Sequence, residues 1–154
     1  MQKAGISFDT SLSMLDTSRR TLWRRVAEGE VRRAGEDARG RTLLDAFDVA
    51  KLLRVRLEES DIALLGSADT DDAKAQNEVG MAFAEAGDDA LAVYWWRRAA
   101  DLGDADSMQL LGQCYAAGTG VEKDPHLAVS WLGKAAAAGH IIAQDQMQGL
   151  IGKS

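Results

Sequence analysis

The strongest constraint on this chain is that part of it is written twice. Residues 75–102, AQNEVGMAFAEAGDDALAVYWWRRAADL, return with variation at 107–138 as SMQLLGQCYAAGTGVEKDPHLAVSWLGKAAAA. Val79-Gly80 matches Leu111-Gly112, Phe83 matches Tyr115, and the string ending at Trp95 matches the string ending at Trp131. The offset is 32 residues before the intervening loop and 36 after it, so the first copy lacks four loop residues. A third start, Ala143 to Ile151, has room for only one helix. A unit of this length cannot bury its apolar face alone. Repetition at this period therefore predicts stacked supersecondary units, each covering its neighbour.

Each copy reads as two helices. In the second, Met108, Leu111 and Tyr115 share one helical face, and Ala128, Trp131 and Ala135 share another. Gly118-Thr119-Gly120 breaks the chain between them. Asp124 is placed to cap the following helix, Pro125 suits its first position, where a missing N–H costs nothing, and Gly139 is placed to end it. Gly80, Gly112 and the alanines at 99–100 and 135–138 allow backbones to approach closely. The expectation is an αα-solenoid of about two and a half repeats over 73–154.

The residues Leu111-Gly112, Tyr115, Gly118-Thr119-Gly120-Val121, Asp124, Ala128, Trp131, Lys134-Ala135-Ala136 and Gly139-His140 resemble the Sel-one-like repeat, a relative of the tetratricopeptide repeat. The resemblance covers residues 71–151. The first copy departs from it in the loop, where Gly87-Asp88-Asp89 replaces GTGVEKDP. What the resemblance implies is a helical scaffold that binds a protein partner, and no catalytic activity.

The first sixty residues differ in kind. They hold twelve Lys/Arg against ten Asp/Glu, whereas 61–154 hold six against fourteen, in a chain of net charge −6. That asymmetry points to an anionic partner for the N-terminal part. Residues 7–16 read as a short helix with Leu12 and Leu15 inward, Thr17-Ser18 as a turn and cap, and Arg19 to Glu28 as a second helix ended by Gly29. At 100° per residue Leu22, Trp23 and Val26 form its buried side, Arg20, Thr21, Arg24 and Glu28 the opposite one, and Arg25 flanks them. Glu30 to Ala34 and Arg41 to Leu44 are strand candidates, with Gly35 and Gly40 in the hairpin loop. Asp45 can then cap a helix over 46–57, with Phe47, Val49, Ala50, Leu53 and Leu57 available for the core.

The strings SRRTLWRRVAEGEVRR and GRTLLDAFDVAKLL resemble the winged helix-turn-helix of the MerR and excisionase type, over residues 6–57. The fold expected is thus mainly α: a small winged helix-turn-helix domain with a two-stranded β wing over 1–60, an acidic junction over 61–72, and the solenoid. The resemblance implies duplex DNA as partner. Ser18, Arg20, Thr21, Arg24 and Arg25 would meet the major groove, and Arg32, Arg33, Arg39 and Arg41 of the wing would meet phosphates or the minor groove. Eight arginines and no lysine within 19–41 favour planar, bidentate recognition, which an acidic protein could use as well as DNA.

Ile62, Leu64 and Leu65 form an apolar island in the junction, expected to lie on the first repeat helix. Tyr94 and Trp96 flank Trp95 where the second copy has Ser130 and Leu132; they are the candidates for a partner or dimer contact, the alternative being that they cover the seam between the two parts. His126 and His140 fall inside the repeats and read as structural. The sequence shows no His-Glu-x-x-His, Gly-x-Ser-x-Gly or Cys-x-x-Cys, so no cofactor or metal is expected. The one cysteine, Cys114, forms no internal disulfide and reads as a packing residue. With no apolar run of about twenty residues and no signal-peptide core in MQKAGISFDT, a cytoplasmic location away from membranes is expected. Two functions follow: a DNA-binding transcriptional regulator whose repeats recruit a protein or form a homodimer, or an adaptor whose two halves both bind proteins.

Overall fold

The computed structural model describes residues 4–151. The chain divides into two compact units, one up to Thr70 and one from Asp71 on.

The first unit runs β1 (Gly5–Ser7), α1 (Phe8–Met14), α2 (Arg19–Ala27), β2 (Arg33–Glu36), β3 (Thr42–Asp45), α3 (Ala46–Ala50) and α4 (Glu59–Ala68). Ser7 caps α1 and Ser18 caps α2, each side chain accepting from the N–H three residues on. The sheet has three strands rather than the two expected of a wing, in the order β1-β3-β2, all antiparallel. Ile6 lies opposite Leu44, and both are fully buried. A three-residue strand is too short to show alternation, and Ser7, expected to begin a helix, instead ends β1 and caps α1. Gly35 lies within β2 at an irregularity of register, with φ +124°, rather than in the loop. Gly40 takes the turn, at φ +74°.

The helix expected over 46–57 stops at Ala50. Leu52 and Leu53 donate to carbonyls three residues back, the tightening with which helices end. Phe47, expected in the core, is 39% exposed, whereas Val49 and Leu57 are buried. Apolar spacing alone does not say where so short a helix ends.

Residues 61–72 are likewise not a separate connector. Most of them form α4, which meets β1 and α3 of its own unit. Ile62 and Leu65 are buried. Gly66 stands so close to β1 that a Cβ there would lie 3.0 Å from the Gly5 carbonyl oxygen. Asp69 finishes the attachment: its carboxylate accepts from the Ser7 N–H at 2.7 Å and from the Thr10 hydroxyl.

The second unit runs α5 (Ala73–Ala86), α6 (Asp89–Asp101), α7 (Ala105–Ala117), α8 (Pro125–Ala137) and α9 (Ile141–Ile151). Two helix hairpins and one further helix match the two and a half repeats read from the sequence. Each of the first four helices begins at an aspartate, Asp72, Asp88, Asp104 or Asp124, whose carboxylate accepts from N–H groups of the first turn. Gly87 and Gly118 close α5 and α7 in the left-handed conformation, at φ +96° and +74°.

Glycine decides the spacing inside each hairpin. A Cβ on Gly80 would lie 2.5 Å from two ring atoms of Trp96, and one on Gly112 would lie 2.7 Å from Leu132 Cγ. The equivalent of Trp96 is therefore Leu132, and both are buried. Trp131, expected in the core, is only half-buried and lies under Lys134, whose Nζ is 4.5 Å from the ring centroid. Adjacent helical residues differ by about 100°, so the choice between Trp131 and Leu132 depends on where the partner helix lies.

Candidate interaction surfaces

The nine polar residues expected to meet DNA are engaged to different degrees. Ser18 is committed to its cap, with its hydroxyl also donating to the Thr21 hydroxyl at 2.9 Å. Arg25 pairs with Glu30, and Arg41 with Asp37. Arg32 is held by Asp48, which accepts from its Nε at 2.9 Å, from its Nη2 at 3.2 Å and from its backbone N–H at 3.0 Å. The Arg32 guanidinium in turn holds the Asp48 carboxyl below its ordinary range, against the opposing effect of burial. Asp37 is lowered too, first by the Arg41 N–H. The Arg39 N–H also donates to Asp37.

Arg33 lies 5.4 Å above the Trp23 ring, Trp23 stacks on Phe8 at 4.2 Å, and Arg19 covers Phe8 at 5.3 Å. This four-layer stack ties α1, α2 and β2 together. Among the described residues, only Arg20 and Arg24 of the nine have side chains with no hydrogen bond, ion pair or ring contact, and both are exposed on the side of α2 opposite buried Leu22. Arg20 and Arg24 lie about one helical turn apart.

In the repeat unit, Trp96 is 6% exposed and fills the space left by Gly80, so only a small part of its ring can meet a partner. Tyr94 is half-buried, edge-on to Trp95, with Arg98 near both rings. His140 caps α9. Its Nδ1 accepts from the Ala143 N–H at 3.2 Å, which leaves Nε2 to donate to Asp106 at 2.9 Å. Cys114 is buried, and its thiol is pushed up first by that burial and then by the charge of Asp89.

One feature of this unit had only an indirect sequence signal. A groove of about 350 Å³ is lined by Ala84, Trp96, Leu110, Cys114 and Ala117, with exposed Asp89 beside them. It lies where the first repeat turns in two residues. In the second repeat the longer loop brings Val121 into a cleft with Tyr115. That loop also leans on the first turn: a Cβ on Gly120 would fall 2.4 Å from the Asp89 carbonyl oxygen. The missing four residues were the signal.

Among the described residues no group of His, Cys, Asp or Glu could hold a metal ion, and no helix is long and apolar enough to cross a membrane.

The Sel1 repeat family matches residues 73–104 and 105–140, so Sel1 repeats lie in the C-terminal unit, over α5 to α8. Among solved structures, a Sel1 repeat protein from Oxalobacter formigenes is 38% identical over 58% of this chain and 27% of its own, with a TM-score of 0.55. A protective antigen of uropathogenic Escherichia coli strains displaying an SLR fold is 29% identical over 59% of this chain and 20% of its own, with a TM-score of 0.57. The cysteine-rich protein B of Helicobacter pylori shares the fold, with a TM-score of 0.55 at 20% identity over 66% of this chain and 79% of its own. The chain spans about a quarter of the first of these and a fifth of the second. No curated protein matches it.

Proposed function

We propose that this protein is an interaction adaptor whose Sel1 repeats hold a protein partner. The carrying observation is the pair of Sel1 repeats itself: two capped helix hairpins and a ninth helix, stacked as a scaffold of the kind that presents side chains to another protein. The N-terminal unit supplies a second binding element. Its arginine pair, Arg20 and Arg24, suits carboxylates of an acidic protein partner.

A second reading, transcriptional control by DNA binding, is favoured by one observation. α1, a four-residue turn and α2, followed by the β2–β3 hairpin, have the order of a winged helix-turn-helix, and Arg20 and Arg24 lie on the outer side of its second helix. Against it, Arg25, Arg32 and Arg41 are paired with carboxylates of their own unit.

One titration separates the two readings. Fluorescence anisotropy of a labelled random duplex at about 50 and about 200 mM salt reads phosphate contacts directly. The adaptor reading expects no binding at the lower salt, together with cross-links from a co-purified protein that map to the repeat unit. Binding that weakens steeply with salt and disappears in Arg20→Ala/Arg24→Ala would replace it with the DNA reading.

A further inference from the structure

We infer that the groove at the first repeat's short turn is a docking site for a bulky apolar side chain of a partner protein, carried in a segment with Lys or Arg beside it. The inference rests on the adaptor reading and deepens it.

The groove's size and lining define the anchor. About 350 Å³ is room for one large side chain; Ala84, Leu110, Cys114 and Ala117 offer it small or aliphatic contacts, Trp96 an aromatic wall, and exposed Gln113 and Thr119 polar ones. The wall is rigid because Trp96 is wedged against Gly80. Binding there would order little that is not already ordered, which favours affinity. The two repeats differ in the loop at this point. A two-residue turn joins α5 to α6, whereas seven residues join α7 to α8 and place Val121 beside Tyr115.

Charge defines the flanks. Asp89 is the one carboxylate among the described lining residues, and it is exposed. Glu85 follows Ala84 and is exposed. From residue 71 on there are twelve acidic residues against six basic ones. Of those six, Arg97, Arg98 and Lys134 are already stacked over Tyr115, Trp95 and Trp131. Among the described residues neither Asp89 nor Glu85 is in an ion pair, so a cation beside the anchor is attracted and an acidic flank is repelled.

The test uses the full chain and three fluorescein-labelled nonapeptides: a central Trp between lysines, a central Ala between lysines, and a central Trp between glutamates. Anisotropy is expected to show the first binding about tenfold or more tighter than either other peptide, one anchor side chain being worth at least that factor. Ala117→Trp places an indole at the mouth from an exposed helix-end position. With an unchanged far-UV spectrum it should reduce that binding about tenfold. Asp89→Asn should weaken it by a smaller factor, about two- to fivefold. Equal binding of the Ala-centred and Trp-centred basic peptides, or undiminished binding to Ala117→Trp, would overturn the groove as the site. A natural partner still held by Ala117→Trp at full affinity would also sink the groove while leaving the adaptor reading intact.

Discussion

Replacing Gly80 by alanine tests how the repeats hold together. The added methyl would sit 2.5 Å from Cδ1 and Nε1 of Trp96 and 3.1 Å from Cε2, where comfortable carbon contacts begin at about 3.5 Å. The ring has nowhere to go. Trp96 is 6% exposed and Trp95 beside it is fully buried, so α5 and α6 must separate by about 1 Å or the indole must leave its rotamer. Overpacking of this kind costs about 1–3 kcal/mol. Alanine returns up to about 1 kcal/mol through its better helix propensity, leaving a net loss of about 1–2 kcal/mol. For a unit of this size that lowers the melting temperature by about 5–10 °C.

The control is Gly149→Ala in α9, where a Cβ meets nothing within 4 Å, so the propensity gain comes without the clash. Thermal unfolding followed by tryptophan fluorescence reports mainly on this unit, which holds three of the four tryptophans. A double-mutant cycle with Trp96→Ala completes the test. That change alone costs about 3–5 kcal/mol, and combined with Gly80→Ala the two should fall short of additivity by about 1 kcal/mol or more, because the methyl enters the vacated space. Stability of Gly80→Ala equal to that of Gly149→Ala, or strict additivity in the cycle, would refute the claim that close approach at Gly80 is required.

Three further outcomes follow from named contacts. Asp69→Ala should destabilise the first unit by about 1–3 kcal/mol in urea unfolding, because the buried Ser7 N–H and Thr10 hydroxyl lose their acceptor. His140→Ala should cost about 1 kcal/mol in melts of the repeat unit, and His140→Asn should recover much of it, since Asn caps as Asp104 does at α7 without adding a like charge near Asp106. Asp48 has a folded-state pKa below its unfolded value, so the stability it contributes is complete above the ordinary carboxylate range and is lost as pH falls through and below that range. Acid titration of the first unit should therefore show a shallower loss in Asp48→Asn, which starts less stable at neutral pH, than in the wild type.

The arginine surface shows how far sequence reasoning reaches toward a site. Eight arginines within 19–41 were legible as a basic stretch, but a count cannot tell a guanidinium that faces a partner from one that faces its own fold. Asp48, Glu30 and Asp37 take three of them, and nothing in the sequence pairs those carboxylates with those arginines. Trp96 shows the same limit from the other side. Read as a surplus aromatic beside the core, it became part of the core once Gly80 was seen across from it.

By itself the sequence determined the repeat architecture, because a duplicated 3.6-residue pattern, the cap at Asp124 and the glycine break after α7 act locally and need no partner to be recognised. The order of short helices and hairpin in the first unit was legible for the same reason. Only the tertiary structure decided the third strand, the early end of α3, the attachment of α4 through Asp69, and which of Trp131 and Leu132 turns inward. Each of these depends on a contact between residues far apart in the chain or on the placement of a neighbouring helix. The free energy that selects such an arrangement belongs to the pair and is written in neither segment alone.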